Sequence, residues 1–306
     1  MIARVVRMPM EDSYQTRDGQ TITVWQWPQV DGRPNLHWAH ATGFHARMYA
    51  PLLDQLATFA NISAWDMRGH GSSRDAGIVE TYQGWRTYYG DLVDLLQGSN
   101  ESTWLAGHSI GATTSMAAAA LNPKTIRGLV LVEPVLMDLR GRALLHFVQT
   151  LRMSHRLSYV KAAAGRRNSF PSHQAAFESY RSKRAFERWP DEWLQAYVEN
   201  GLVQSEQNGL SLACRPDWEV LTFAHTEASP WRNVSTLREL QNISVLTASN
   251  RSTMPVGARG TLQRLLPTAT IQEIPNTSHF LPMEWTEGLV EHIRGCLCGD
   301  DSTVES

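Results

Sequence analysis

Ser109 stands in Gly107-His108-Ser109-Ile110-Gly111, after the apolar run Trp104-Leu105-Ala106 and before the alanine-rich stretch from Ala112 to Leu121. An apolar run, a tight turn and a helix-forming stretch put the serine on a strand-to-helix corner. The backbone there is strained, the hydroxyl is pushed into the open, and glycines two residues to either side let strand and helix approach closely. A hydroxyl so placed suits nucleophilic attack on a carbonyl carbon once a base takes its proton. His279 is placed to be that base: it lies in Ile274-Pro275-Asn276-Thr277-Ser278-His279-Phe280, at the end of a late strand. A neutral imidazole in this role needs an acid to fix its tautomer and stabilise its charged form.

The elements around these residues alternate. Thr21 to Trp27 alternates apolar and polar side chains and runs to the turn Asp31-Gly32-Arg33-Pro34, a pattern that predicts an early antiparallel hairpin. Strands follow at Asn35 to Ala39 and Ile62 to Trp65, and Thr125 to Glu133 contains the near-continuous apolar run of a strand buried on both faces. Helices are expected where Tyr49, Leu52, Leu53, Leu56 and Phe59 recur, and where Trp85, Tyr88, Leu92, Leu95 and Leu96 recur. Ile243 to Ala248 and Thr268 to Ile274 are the last strands, and Glu284 to Leu297 is a closing helix. Such alternation predicts a doubly wound, mostly parallel sheet, with ligands at the carboxyl ends of its strands.

From Leu136 to Leu237 the alternation stops and helical patterns dominate, with many aromatics. Pro190 at a helix start, Trp193 and Tyr197 four apart, and Gly201 past the end define one of these helices. The segment is taken as a helical cap, residues 136–237, inserted into a core of residues 1–135 and 238–306. Most of its aromatics belong to the cap's own packing. A few should face the site, Trp189, Trp193 and Tyr197 being the candidates together with His45. The basic run Arg181, Lys183, Arg184 and Arg188 is explained by a solvated face.

Two further strings set the context: His40-Ala41-Thr42-Gly43-Phe44-His45 after the strand at 35–39, and Asp66-Met67-Arg68-Gly69-His70-Gly71-Ser72-Ser73 after the strand at 62–65. With the serine and histidine motifs they resemble, in order and spacing, the α/β-hydrolase superfamily, in particular capped esterase-like members with an H-A-x-G-F loop. The resemblance covers roughly 20–135 and 235–297 and implies an eight-stranded sheet with an inserted cap. It places oxyanion-binding backbone N–H groups at Phe44 and Ile110. Asp66 and Arg68 are read as structural, an internal ion pair being enough to explain them.

The chain departs from the commonest pattern at the acid. The turn that usually carries it reads Ala248-Ser249-Asn250-Arg251-Ser252-Thr253-Met254-Pro255, with arginine in the acid's position. A cation cannot accept the imidazole N–H. Glu133, 24 residues after Ser109 and at the end of the next strand, is the substitute. Haloalkane dehalogenases and zearalenone-type lactone hydrolases resemble the chain in taking a glutamate from that strand. Asp138 is a weaker alternative, well inside the entry to the cap.

The expectation is a serine hydrolase that cleaves an uncharged, apolar or aromatic ester or lactone through an acyl-enzyme, with Ser109, His279 and Glu133 as triad. A cap arginine such as Arg166 or Arg167, if it points inward, would reverse the preference for uncharged substrates. A serine nucleophile argues against aspartate-based dehalogenase chemistry, and Ile110, where proline iminopeptidase-like enzymes have tryptophan, against peptidase activity. Fold alone leaves two alternatives open: a ligand receptor with little turnover, and a C–C hydrolase or acyltransferase.

Composition bounds the partners. A net charge of −2 over 306 residues gives no electrostatic reason to expect nucleic acid or an anionic membrane. No apolar run approaches the roughly eighteen residues of a membrane span, and Met1 to Met10 lacks the apolar stretch of a signal peptide. A cytoplasmic protein is expected. It should act on a small molecule without cofactor or metal, and a homodimer is left open. Cys214, Cys296 and Cys298 are odd in number and lack metal-ligand spacing, so they are expected to be free thiols.

Overall fold

A computed structural model describes residues 8–98, 101–205, 209–227 and 230–299. The chain opens with β1 (Met10–Gln15) and β2 (Thr21–Gln26), an antiparallel pair, followed by β3 (Asn35–Ala39), α1 (Ala50–Leu56), β4 (Asn61–Trp65) and α2 (Trp85–Gln97). Next come β5 (Thr103–His108), α3 (Ile110–Leu121) and β6 (Ile126–Val132). An insert follows: α4 (Leu139–Thr150), α5 (Ser158–Ala164), β7 (Ser169–Phe170), α6 (His173–Arg181), α7 (Asp191–Asn200), β8 (Leu202–Gln204), β9 (Leu210–Leu212) and α8 (Pro216–Ala224). The chain then returns through β10 (Ile243–Ala248), α9 (Val256–Leu265), β11 (Thr270–Ile274), α10 (Leu281–Glu284) and α11 (Thr286–Cys298).

Eight strands form one sheet in the order β1-β2-β4-β3-β5-β6-β10-β11. From β4 to β11 neighbours run parallel, and β2 is antiparallel to both β1 and β4. This corrects the hairpin expectation: the turn at 31–34 does connect β2 to β3, but β2 pairs with β1 and β4 instead of β3. The polar, mostly exposed β1 (Met-Glu-Asp-Ser-Tyr-Gln) covers the sheet edge and has no apolar alternation to announce it.

The middle of the sheet is where the site must be anchored. Leu129 to Val132 of β6 and Leu105-Ala106 of β5 are wholly buried, as parallel strands covered on both faces require. Helix α3 is buried from Ile110 to Ala120, and its small side chains let it lie close against β5 and β6.

The insert is helical as expected, with one addition. The strands β7, β9 and β8 form a small antiparallel sheet of two- and three-residue segments, too short for any periodicity to show in sequence. The insert is tied to the sheet domain by buried hydrogen bonds. Trp85 Nε1 donates to the Thr222 carbonyl at 3.0 Å, and Tyr88 Oη lies 2.8 Å from Thr222 Oγ1. Trp218 Nε1 donates to the Arg68 carbonyl and Trp193 Nε1 to Thr286 Oγ1, both at 3.0 Å. No helix among the described residues is long and apolar enough to cross a membrane.

Candidate active site

Ser109 occupies the corner between β5 and α3 with φ +59° and ψ −122°, a left-handed conformation that costs a non-glycine residue energy. Its N–H donates to the Val132 carbonyl at 3.0 Å, which holds the corner against β6. The flanking glycines are required by contact. A Cβ on Gly111 would sit 2.1 Å from the Ala39 carbonyl oxygen, and one on Gly107 would sit 2.6 Å from the backbone of Gly111.

His279 Nε2 is 3.0 Å from Ser109 Oγ, and His279 Nδ1 is 3.1 Å from Glu133 Oε2. The carboxylate fixes the tautomer: Nδ1–H donates to Glu133, which leaves Nε2 free to accept the serine proton. Glu133 is itself completely buried and left-handed at φ +51°. Its N–H donates to the Leu246 carbonyl at 2.8 Å. The turn after β10 supplies donors in place of an acid. Oε1 accepts from Ala248 N and Ser252 Oγ, both at 2.6 Å, and Oε2 from Thr253 N at 3.1 Å. Burial alone would raise the Glu133 pKa, but these bonds and the pull of His279 hold it below the ordinary carboxylate value. Arg251 is exposed, and Asp138 caps α4 by accepting from Gly141 N at 2.8 Å.

Two residues to which the sequence reading gave no part in the site support His279. His108, inside the serine motif itself, is buried, and its Nε2–H donates to the His279 carbonyl at 2.7 Å. Its Nδ1 accepts from Tyr49 Oη at 2.9 Å, and the same hydroxyl accepts from Ala41 N at 3.3 Å. This chain links the loop at 40–45 to the backbone of His279. Burial, reinforced by the neighbouring His279, lowers the His108 pKa and keeps its imidazole neutral.

Residues 38–291 match the sequence model of the alpha/beta hydrolase family. The chain belongs to that family. It is 27% identical over 139 residues to YraK, an uncharacterized hydrolase of Bacillus subtilis (strain 168), a match covering 44% of this chain and 51% of that one, so about half of the relative's length is spanned. Among solved structures it resembles E-2-(acetamidomethylene)succinate hydrolase, with a TM-score of 0.73, 19% identity and coverage of 94% and 100%. It is equally similar to the thioesterase domain from the curacin biosynthetic pathway, with a TM-score of 0.73, 18% identity and coverage of 94% and 99%. At these identities the two likenesses show the fold.

In this α/β-hydrolase Ser109 and His279 open into a cavity of about 580 Å³, also lined by Thr42, Phe44, Val135, Met137, Phe223 and Phe280. Tyr197 is on its wall; His45, Trp189 and Trp193 are not, contrary to expectation. His45 caps the turn at 46–49 by accepting from Met48 N at 3.1 Å, and it lies 3.1 Å from the Tyr197 carbonyl. Trp189 packs between Phe186 and Phe280, and Trp193 against Tyr49. All three bury apolar surface behind the wall.

The loop expected to bind an oxyanion departs from its reading at one atom. Phe44 N–H already donates to the Ala41 carbonyl at 3.1 Å, whereas Thr42 N–H has no partner among the described residues. Asp66 and Arg68 are structural but do not pair with each other. Asp66 accepts from Ala46 N, Trp25 Nε1 and Ser72 N, and Arg68 pairs with Asp91 and Asp18. The cysteines are free, and no cluster of metal-ligating side chains occurs among the described residues.

Proposed function

We infer that this chain is a serine hydrolase acting on a carboxylic ester or lactone, with residues 136–237 as the cap over its site. The observation that carries the reading is the unbroken hydrogen-bonded series from Ser109 Oγ through His279 to an ionised, buried Glu133 at the edge of a mostly apolar cavity. His279 Nε2 takes the hydroxyl proton as Oγ bonds to the carbonyl carbon. The developing oxyanion is received by Ile110 N–H at the start of α3 and by Thr42 N–H, which replaces Phe44 in this role because its proton is uncommitted. His279 then protonates the leaving alcohol oxygen. Water, deprotonated by the same imidazole, releases the acid and restores the serine.

The thioesterase and the succinate-derivative hydrolase among the structural neighbours accord with acyl chemistry at this kind of site. Turnover of short p-nitrophenyl esters tests the reading. Wild type should turn over repeatedly, and Ser109→Ala should lose on the order of 10³-fold or more in kcat while melting at nearly the same temperature. A single slow burst without turnover would indicate a receptor, and ester product formed from an added alcohol would indicate an acyltransferase. Residual Ser109→Ala activity within a few-fold of wild type would remove the serine from the mechanism.

A further inference from the structure

Apart from Ser109, His279 and a few hydroxyl groups the cavity wall is mostly apolar, and its charged side chains all come from the insert. Arg166, two residues past the end of α5, lines the cavity with only 18% of its side chain exposed, and its partner Glu219 from α8 is 8% exposed. Nη1 donates to Glu219 Oε2 at 2.5 Å. Nη2 donates to the hydroxyl of Tyr197, and to that of Tyr180 at 3.4 Å. Arg166 Nε–H has no hydrogen-bond partner among the described residues. The pair presses on the loop at 40–45: a Cβ on Gly43 would fall 2.7 Å from Glu219 Oε1 and 2.8 Å from Arg166 Nη1. The ion pair therefore packs against Gly43, the residue after Thr42 in that loop.

A second cation lines the same cavity. Lys183 is exposed, at the rim, with Nζ 4.7 Å from the centroid of the Tyr180 ring. It forms no ion pair within 4.0 Å among the described residues. Arg167, by contrast, turns away to stack on Phe170 and donate to the Ser169 carbonyl. The wall thus carries two cations against the single carboxylate of Glu219. Burial and the charges of Arg166 and Arg167 lower the Lys183 pKa, as expected where positive charge is in excess.

We propose that this hydrolase selects esters or lactones whose acyl part carries a carboxylate, bound between Arg166 and Lys183 while apolar residues hold the rest of the chain. The inference rests on the hydrolase reading and deepens it. A compact monoanion balances the one uncompensated charge. It can accept from Arg166 Nε–H, from Lys183 and from the tyrosine hydroxyls, and such charge-assisted bonds are the strong ones. A neutral acyl group leaves those donors unpaired, and a cationic one adds to the excess.

The test compares p-nitrophenyl hydrogen adipate with p-nitrophenyl 6-methylheptanoate, which has the same shape and no charge. Wild type should favour the anionic ester by tenfold or more in kcat/KM, and the ratio should fall at least several-fold in both Arg166→Gln and Lys183→Gln. Arg166 is buried in its network, so its variant can fail to fold; Lys183 is exposed, and its variant decides the matter alone. Calorimetric titration of Ser109→Ala protein with monomethyl adipate and with methyl 6-methylheptanoate reads the same preference without turnover. Tighter binding of the monoester supports the proposal. Equal or better use and binding of the neutral ester overturns it, as does a ratio unmoved by Lys183→Gln. If neither p-nitrophenyl ester is cleaved in a Ser109-dependent way, the hydrolase reading fails, and the titration still decides whether the cavity takes a carboxylate.

Discussion

At Glu133, Oε1 accepts from Ala248 and Ser252 while Oε2 accepts from Thr253 and His279, so donors face the side chain on every side. Glu133→Gln keeps the size but turns an NH₂ group toward N–H and O–H donors and removes the charge that stabilises the imidazolium. Losses of up to about 10⁴-fold in kcat accompany such a swap at this role. Arg251→Ala, at an exposed side chain of the same turn, should stay within a few-fold of wild type. Ester turnover checks both; a near-normal Glu133→Gln would mean that another group orients His279. Ser109 and Glu133 were legible because each sits at the end of an apolar strand, where local sequence fixes the backbone, whereas His279, past the mostly exposed β11, was legible only from the string around it. Thr42 was not, because which of two neighbouring N–H groups stays free depends on a turn hydrogen bond from Phe44 to Ala41. His45, Trp189 and Trp193 were misplaced for a related reason: composition tells that an aromatic is buried, and only the tertiary packing decides whether it faces a cavity or a core.

Among the elements, β5, α3, β6 and β10 follow the sequence closely because long apolar runs permit few alternatives. The misses are β1, an exposed edge strand, and β7 to β9, which are two or three residues long. The joint between α8 and the sheet domain is just as invisible locally, because it pairs positions about 150 residues apart. Gly69, at φ +80°, lies against Trp218 so closely that a Cβ would come within 2.0 Å of Nε1. Gly69→Ala should therefore destabilise by roughly 3 kcal/mol, from overpacking and from the left-handed backbone together. Much of that cost should vanish in a Trp218→Ala background, where the ring is gone. Denaturant midpoints of the four proteins in this cycle give the coupling. Strict additivity would show that the contact does not govern the joint.

For the molecule as a whole, five histidines are buried without charge: His37, His40, His45, His70 and His108. Burial pushes their pKa values down, to about 3 for His37, His40 and His70. The unfolded chain takes up protons near pH 6.5 and the folded one does not, so stability falls as pH drops below about 6.5. Each group removes about 1.4 kcal/mol per pH unit in that window. Asp91 acts in the opposite sense, since burial, only partly offset by Arg68, raises it to about 6, but it is one group against five. Unfolding free energies from urea titrations at pH 7.5 and 5.5 should differ by several kcal/mol, a large share of an ordinary domain's stability. Equal values would mean that these imidazoles are protonated, or reached by water, in the folded state.

Because Glu133 leaves β6 and not the turn after β10, the proposed nucleophile and acid stand on neighbouring strands of one β5-α3-β6 unit, and both precede the insert. Their separation is inherited from a single right-handed crossover. Only the histidine must be brought in from beyond the insert. A lineage carrying this arrangement can lengthen, shorten or exchange what lies between β6 and β10, and so try new specificities, while the spacing of serine and glutamate stays under the control of a separate stretch of chain.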